Sequence, residues 1–306
     1  MERTVPESEA GRFGRVSGLY RFYVGEHEVI VINDGTIGVS LPFLAMNAPQ
    51  DEVRAIMRGH GLGTDFVPLP IGNVLVRTGD RLVLLDTGTG TSGFVHALFG
   101  DYIGGLVPTL ELIGVSPEAI TDVIFSHSHV DHVGGTAVDG RPVFPNAQHH
   151  LPALEWEYLQ RDDIPAPIRP FIDFARDQLQ PLVENDGQLA LYGDGEESVP
   201  GIRAIAALGH AAGHHALMIE SRGQRLLLPF DVLGHHILHL HHPEWVMAPD
   251  DHDVALESRH RLLGQAADEQ SPVLAHHFPF PGLGVVTREG AAYRFHPSGA
   301  TAATSR

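Results

Sequence analysis

The sequence has no cysteine and no lysine: all 20 of its basic residues are arginine. Without cysteine there are no disulfides, thiolate metal ligands or cysteine nucleophiles, and the redox compartment is left open. Without lysine there is no Schiff base, no phosphate-loop lysine and no bridging carbamylated lysine, which removes several enzyme classes together. Positive charge is scarce overall, with 38 acidic residues giving a formal net charge of -18. Such a surface repels phosphate backbones and anionic lipids, so neither nucleic acid nor membrane is expected as a partner. No run of the ~20 apolar residues needed for a membrane span is present. The first fifteen residues, MERTVPESEAGRFGR, lack a signal-type apolar core, and the expectation is a cytoplasmic protein.

A chain of 306 residues can bury a substantial core, and a single domain over 1–306 is expected. LYRFYVGEHEVIVINDG from Leu19 reads as two β-rich runs around Gly25. NVLVRTGDRLVLLDTG, 73–88, reads as a hairpin turning at Thr78-Gly79-Asp80. A helical pattern breaks at Gly114, and TDVIFS then supplies a short strand. Residues 152–183 have helical spacing interrupted by Pro165, Pro167 and Pro170, and are expected to form a helical cap. Strands return at GIRAIAAL, HALMIES and QRLLLPF, a helix is expected over Val254 to Ala267, and PVLAHHF is a last short strand entering a loop. This order predicts an α/β sandwich, two sheets with helices outside.

Histidine is abundant, with 21 residues, and neutral imidazole is the commonest biological metal ligand. Ser126-His127-Ser128-His129-Val130-Asp131-His132 places three imidazoles and a carboxylate within six residues, at the end of a strand. Burying such a group is costly unless a metal or many hydrogen bonds satisfy it. On extended chain His127 and His129 point to one side, and the turn permitted by Gly134-Gly135 swings Asp131 and His132 toward a second point nearby. Two adjacent metal sites follow. The bland alternative, a hydrogen-bonded polar turn, does not account for the crowding.

H-x-H-x-D-H followed by Gly-Gly resembles the signature of the metallo-β-lactamase superfamily. LVLLDTG at 82–88, GHAAGH at 209–214, Asp231 after an apolar strand and His277 after another follow in that family's order. The resemblance implies a four-layer αββα fold with two mixed sheets and outer helices. It further implies that His127, His129 and His210 bind one divalent ion, that Asp131, His132 and His277 bind another, and that Asp231 bridges them. The all-nitrogen-and-oxygen set suits zinc, and also manganese, cobalt or iron. Asp86 is implied to orient ligands, while His214 and His276 are taken as mere neighbours. FPNA at 144–147, Trp156, HPEW at 242–245 and His277 to Gly284 are similar to the branch containing methyl parathion hydrolase and related lactonases. One departure is visible: Phe230 precedes the bridging aspartate where related sequences have glycine.

Such a centre implies hydrolysis by a water held between the ions, with Asp131 and Asp231 at the reaction centre and His235 as a candidate for assisting the leaving group. Two divalent ions less two carboxylates and a hydroxide leave one positive charge, which suits a small neutral lactone, ester or phosphotriester. Phe66, Trp156 and Phe278, with Phe171 and Phe174, are candidates for an apolar pocket. The expectation is a lactonase or arylesterase with promiscuous phosphotriesterase activity, working as a homodimer. A glyoxalase II-like thioesterase, a β-lactamase and a catalytically silent metal-binding or regulatory protein are the alternatives. The five histidines between His235 and His242 are read as a solvated run rather than a third metal site.

Overall fold

The computed structural model describes residues 18–185, 187–248 and 250–298; the opening stretch on which the cytoplasmic expectation rests lies outside them. The first sheet contains β1 (Leu19–Val24), β2 (His27–Ser40), β3 (Phe66–Thr78), β4 (Arg81–Leu85) and β5 (Asp122–Ile124). After the small ribbon β6 (Ala137–Val138) and β7 (Arg141–Pro142), β8 (Gln148–Pro152) and β9 (Leu189–Tyr192) complete it, in the order β1-β2-β3-β4-β5-β8-β9. The second sheet runs in sequence order from β10 (Glu197–Val199), β11 (Ile202–Ala206), β12 (His215–Ser221) and β13 (Gln224–Leu228) to β14 (Pro272–Leu274), β15 (Leu283–Glu289) and β16 (Ala292–Pro297). Both sheets are mixed: β4-β5-β8-β9 and β13-β14 pair in parallel, and the remaining neighbours are antiparallel.

Strand alternation sorts the apolar residues into layers. Val29, Val31, Val74, Val76, Val83 and Leu85 face Ile202, Leu217, Ile219, Leu226 and Leu228 in the core between the sheets. The intervening Ile30, Ile32, Leu75, Leu84 and Val123 face outward and are covered by Leu106 and Leu110 of one helix and Ile172, Leu179 and Leu182 of another. On the far side, Met218, Leu227, Val273 and Val286 lie under Leu262, Leu263 and Ala266 of the helix His252–Glu269. The four-layer αββα sandwich implied by the sequence resemblance is therefore the fold. The hairpin at Gly79-Asp80 joins Thr78 to Arg81, and the helix Leu106–Leu112 stops before Gly114 at φ 76°.

The segment expected as a cap forms the helices Ala153–Leu159 and Arg169–Glu184. Pro170 sits in the first turn of the second, where its missing N–H costs nothing. Leu159, Ile172, Ala175, Leu179 and Leu182 are buried against the first sheet, so this segment is the sandwich's outer layer. A further apolar cluster joins the long ends of β2 and β3, through Ile37, Leu69 and Ile71, to Met57, Leu238, Trp245 and Met247. It walls the end of the sandwich where the histidines gather.

Candidate metal centre

The two sheets each send loops to one rim. From the first, β5 ends and the chain passes through Phe125 and Ser126 to His127 and His129, then into the short helix Val130–Val133 that carries Asp131 and His132. From the second come His210, between β11 and β12, Asp231, just after β13, and His277, just after β14. All seven residues named from sequence meet. His127, His129 and His210 offer ligand atoms within 4.8 Å of one another, as do His127, His132 and Asp231. His277 Nε2 lies 3.5 Å from Asp131 Oδ2 and 3.3 Å from Asp231 Oδ2, and His210 Nε2 lies 3.3 Å from that same Asp231 oxygen. Asp231 thus stands between the two groups.

The residues fit a bound cation, as three of their buried polar atoms show. His127 Nε2, His132 Nε2 and Asp231 Oδ1 are buried without a hydrogen-bond partner, although His132 Nε2 and Asp231 Oδ1 approach to 3.3 Å. In proteins at large most buried polar atoms find a partner, and leaving three unpaired within one cluster is costly. Lone pairs converging at this spacing on a common point are what a coordinated ion requires.

In four of the five rings the other end is tied down, which fixes which nitrogen is free, while His129 Nδ1 meets His210 Nε2 at 2.9 Å. His132 Nδ1 meets Asp86 Oδ2 at 2.8 Å, His210 Nδ1 meets Asp250 Oδ1 at 2.8 Å, His277 Nδ1 meets the Pro70 carbonyl at 3.0 Å, and His127 Nδ1 meets Ser126 Oγ at 3.0 Å. Electrostatics divides the imidazoles. Burial, helped by neighbouring histidines, holds His127 and His129 well below the usual histidine range. Burial also opposes charge on His132 and His210, but carboxylates outweigh it. Asp231, Asp131 and Asp86 raise His132 well above the ordinary value, and Asp231 with Asp250 lifts His210 to about 10. Burial likewise opposes charge on Asp231, yet His277 and His132 hold its carboxyl far below the normal range. The carboxylates thus favour positive charge on His132 and His210, while burial keeps His127 and His129 neutral.

Close packing of the loops explains the glycines. A Cβ on Gly134 would stand 2.2 Å from the Thr89 carbonyl oxygen, and one on Gly135 would stand 2.2 Å from that of Thr87. The Asp86-Thr87-Gly88 turn can therefore lie directly on the ligand loop. Asp86, at φ 57°, accepts from Ser126 N at 2.7 Å and Ser126 Oγ at 2.9 Å as well as from His132. His214, expected from sequence to be a mere neighbour, accepts from Asp231 N through Nε2 at 3.2 Å and so ties down the backbone of that residue.

Two supports have no signal in the sequence. Glu155 is buried and accepts from Ser128 N, Ser128 Oγ and Gly213 N, clamping the two ligand-bearing loops to the helix Ala153–Leu159. Asp250 holds His210 and accepts from Met247 N, while the fully buried Arg259 binds the carbonyls of Val232, Pro243 and Trp245.

The candidate pocket and proton-transfer residues are placed differently from the ligands. Trp156 packs into the outer core of the first sheet, its neighbour Glu155 being the residue that turns toward the site. Phe278 is 1% exposed and meets Phe295 edge-on in the outer core of the second sheet. Phe66 is half-buried at the start of β3, paired with Ser40. Phe174 stacks on Phe94, which Phe171 meets edge-on. His235 Nδ1 accepts from the backbone of Ile237 and Leu238, and burial with the adjacent His236 takes its pKa down to about 3. The run from His235 to His242 is not simply solvated. His239 is buried, with Nδ1 accepting from Gly234 N and His235 N and Nε2 donating to the Leu44 carbonyl.

Comparison with known proteins places this geometry. An N-acyl homoserine lactonase of Bacillus cereus is 28% identical over 180 residues, which cover 54% of this chain and 64% of that protein, so the chain spans a little under two thirds of that relative's length. The N-acyl homoserine lactonase AttM of Azorhizobium caulinodans is 28% identical over 211 residues, 63% of this chain and 76% of the relative. Among solved structures, AidC, a dizinc quorum-quenching lactonase in complex with a product, is 26% identical with a TM-score of 0.85, covering 93% of this chain and 99% of that one. The hydrolase AbOPH of the beta lactamase superfamily is 25% identical with a TM-score of 0.83, covering 93% and 98%. The metallo-beta-lactamase superfamily model matches residues 68–276, a span holding six of the seven clustered candidate ligands and ending beside the seventh, and the chain belongs to that superfamily.

Proposed function

We propose that the chain is a metal-dependent hydrolase that opens lactone rings, with N-acyl homoserine lactones as the leading substrate class and aryl esters as the second. The observation that carries the reading is the convergence of seven histidine and aspartate side chains with three buried lone-pair atoms left unpaired. The likeness to lactonases in sequence and fold supports the substrate class. His127, His129 and His210 would hold one divalent ion and Asp131, His132 and His277 a second, zinc foremost, with Asp231 between them. When bound, such ions supply a water of lowered pKa and a Lewis-acid partner for the substrate carbonyl oxygen.

The chain's own residues supply positioning and proton transfer. Asp231 Oδ1 is unpaired and buried, and the hydrogen bond from Asp231 N to His214 fixes its direction. In this reading its carboxylate would relay the proton of the attacking water to the alkoxide released as the ring opens. We assign this role to Asp231 rather than to His235, whose Nδ1 is occupied and whose ring stays neutral at pH 7. Asp86, Asp250 and the Pro70 carbonyl keep the imidazoles from turning as substrate binds. Asp131, with its side chain 12% exposed, and the half-buried His129 are the more open members of the cluster, so substrate enters from their side.

The test is a hydrolysis screen of zinc-, manganese- and cobalt-loaded protein. Substrates are N-acyl homoserine lactones, simple lactones, aryl esters, a paraoxon-type phosphotriester, thioesters and a chromogenic cephalosporin, with Asp231→Asn alongside. Lactone opening that falls ~10²- to 10⁴-fold in Asp231→Asn is expected. Turnover of the thioester or cephalosporin alone overturns the lactone reading and keeps the hydrolase. Silence from fully metallated protein on every substrate overturns the enzyme reading.

A further inference from the structure

Two successive histidines, His276 and His277, follow β14, and the structure treats them alike. His277 donates from Nδ1 to the Pro70 carbonyl at 3.0 Å; His276 donates from Nδ1 to the Gly72 carbonyl at 3.1 Å. These carbonyls are two residues apart on β3. Each bond places the proton on Nδ1 and leaves Nε2 as a bare lone pair, the arrangement a ligating imidazole needs. In His276 that Nε2 is buried and without a hydrogen-bond partner, in a residue only 4% exposed. The ring stacks on His132 with centroids 4.4 Å apart and an interplanar angle of 29°. Asp131, His132, His276 and His277 each offer a ligand atom, all within 4.8 Å of one another.

We propose that His276 is an additional metal ligand, joining Asp131, His132 and His277 around the second ion; this rests on the metal-centre reading above. Packing alone does not explain the residue, because a phenyl ring would stack on His132 as well without leaving a buried nitrogen unsatisfied. With His276 included, this half of the centre has three imidazoles and the carboxylates of Asp131 and Asp231. A nitrogen-rich set favours zinc and its transition-metal neighbours over magnesium or calcium. His276 would also hold the ion at higher coordination, leaving fewer positions for solvent.

The experiment compares the full-length protein with His276→Phe, His276→Gln and His277→Phe. Each is stripped of metal, then titrated with cobalt, followed by visible absorption, and with zinc in competition with a chromogenic chelator. His276→Phe keeps the stacked ring and removes the nitrogen. It is expected to weaken one of the two equivalents about 10- to 100-fold and to alter the cobalt spectrum, with His276→Gln recovering part of the loss. Melting of the metal-free forms by circular dichroism identifies a variant that fails to fold, and the Gln variant then carries the test. Unchanged affinities and spectrum in His276→Phe, beside loss of one equivalent in His277→Phe, overturn the proposal and leave the metal centre standing. Two unweakened equivalents in His277→Phe overturn the centre itself.

Discussion

Asp86 occupies left-handed backbone space at φ 57° and spends its carboxylate on three donors, Ser126 N, Ser126 Oγ and His132 Nδ1. Asparagine tolerates that backbone but turns an NH₂ toward donors that need an acceptor. Asp86→Asn is therefore expected to fold and to bind zinc about 10- to 100-fold more weakly, measured by chelator competition. Phe230 is a different case. It sits at φ 47°, a backbone conformation that favours glycine, and its buried ring lies 6.5 Å from His132 and 6.3 Å from His276. Phe230→Gly relieves ~1–2 kcal/mol of backbone strain but empties a site worth ~3–5 kcal/mol, so the melting temperature should fall. His149 is buried with both ring nitrogens unpaired, and burial lowers its pKa from 6.5 to about 4. The unfolded chain then binds the extra proton first. Its contribution is present above pH 6.5 and is lost as pH falls toward 4, by ~3 kcal/mol if complete. Urea titrations at pH 7 and pH 4.5 should show a smaller acid loss for His149→Leu than for the parent.

The first histidine loop could be read at the scale of elements because it follows a short apolar strand and packs its candidate residues together, whereas His210, Asp231 and His277 stand singly on their loops and came only from the family resemblance. The clamp between these loops could be read from neither. Glu155 meets Ser128 and Gly213 across 27 and 58 residues, and no local pattern records such a contact. Trp156 drew attention as an aromatic, yet one step along a helix turns the side chain by roughly 100°, and Glu155 is the residue that faces the loops. The cap expectation used the right helical spacing and the right proline breaks, but periodicity does not say which surface an amphipathic helix covers. Here it covers the first sheet. Glu155→Ala leaves Ser128 N and Gly213 N, both donors to it, without their partner. It should lower stability by ~1–3 kcal/mol in chemical denaturation and loosen the ion held by His127, His129 and His210 more than the other. Equal weakening of both ions would argue against a local clamp.

For the whole molecule, the order of elements along the chain and the first histidine cluster were legible because period-two alternation and a dense histidine motif are local signals, whereas the four layers and the full set of seven candidate ligands came from the family resemblance. The aromatic pocket was not legible, since Phe278 and Trp156 are apolar residues that serve the outer cores equally well. Because ligands come from both sheets, metal should stabilise the native state as a whole. Bound zinc at 100 times its dissociation constant adds about 2.7 kcal/mol for each ion, and chelation should lower the melting temperature in one cooperative transition. Leu19 and Tyr23 are exposed on the edge strand β1, and sedimentation velocity would test the homodimer expected from the sequence. The ligands also divide along the chain. His127, His129, Asp131 and His132 precede β9, whereas His210, Asp231 and His277 follow the turn into β10. A gene cut within Gly193 to Glu196 would yield two fragments, each carrying one sheet and an incomplete donor set. Their reunion would be a metal-gated complementation reaction, with recovered turnover reporting the encounter of the pieces.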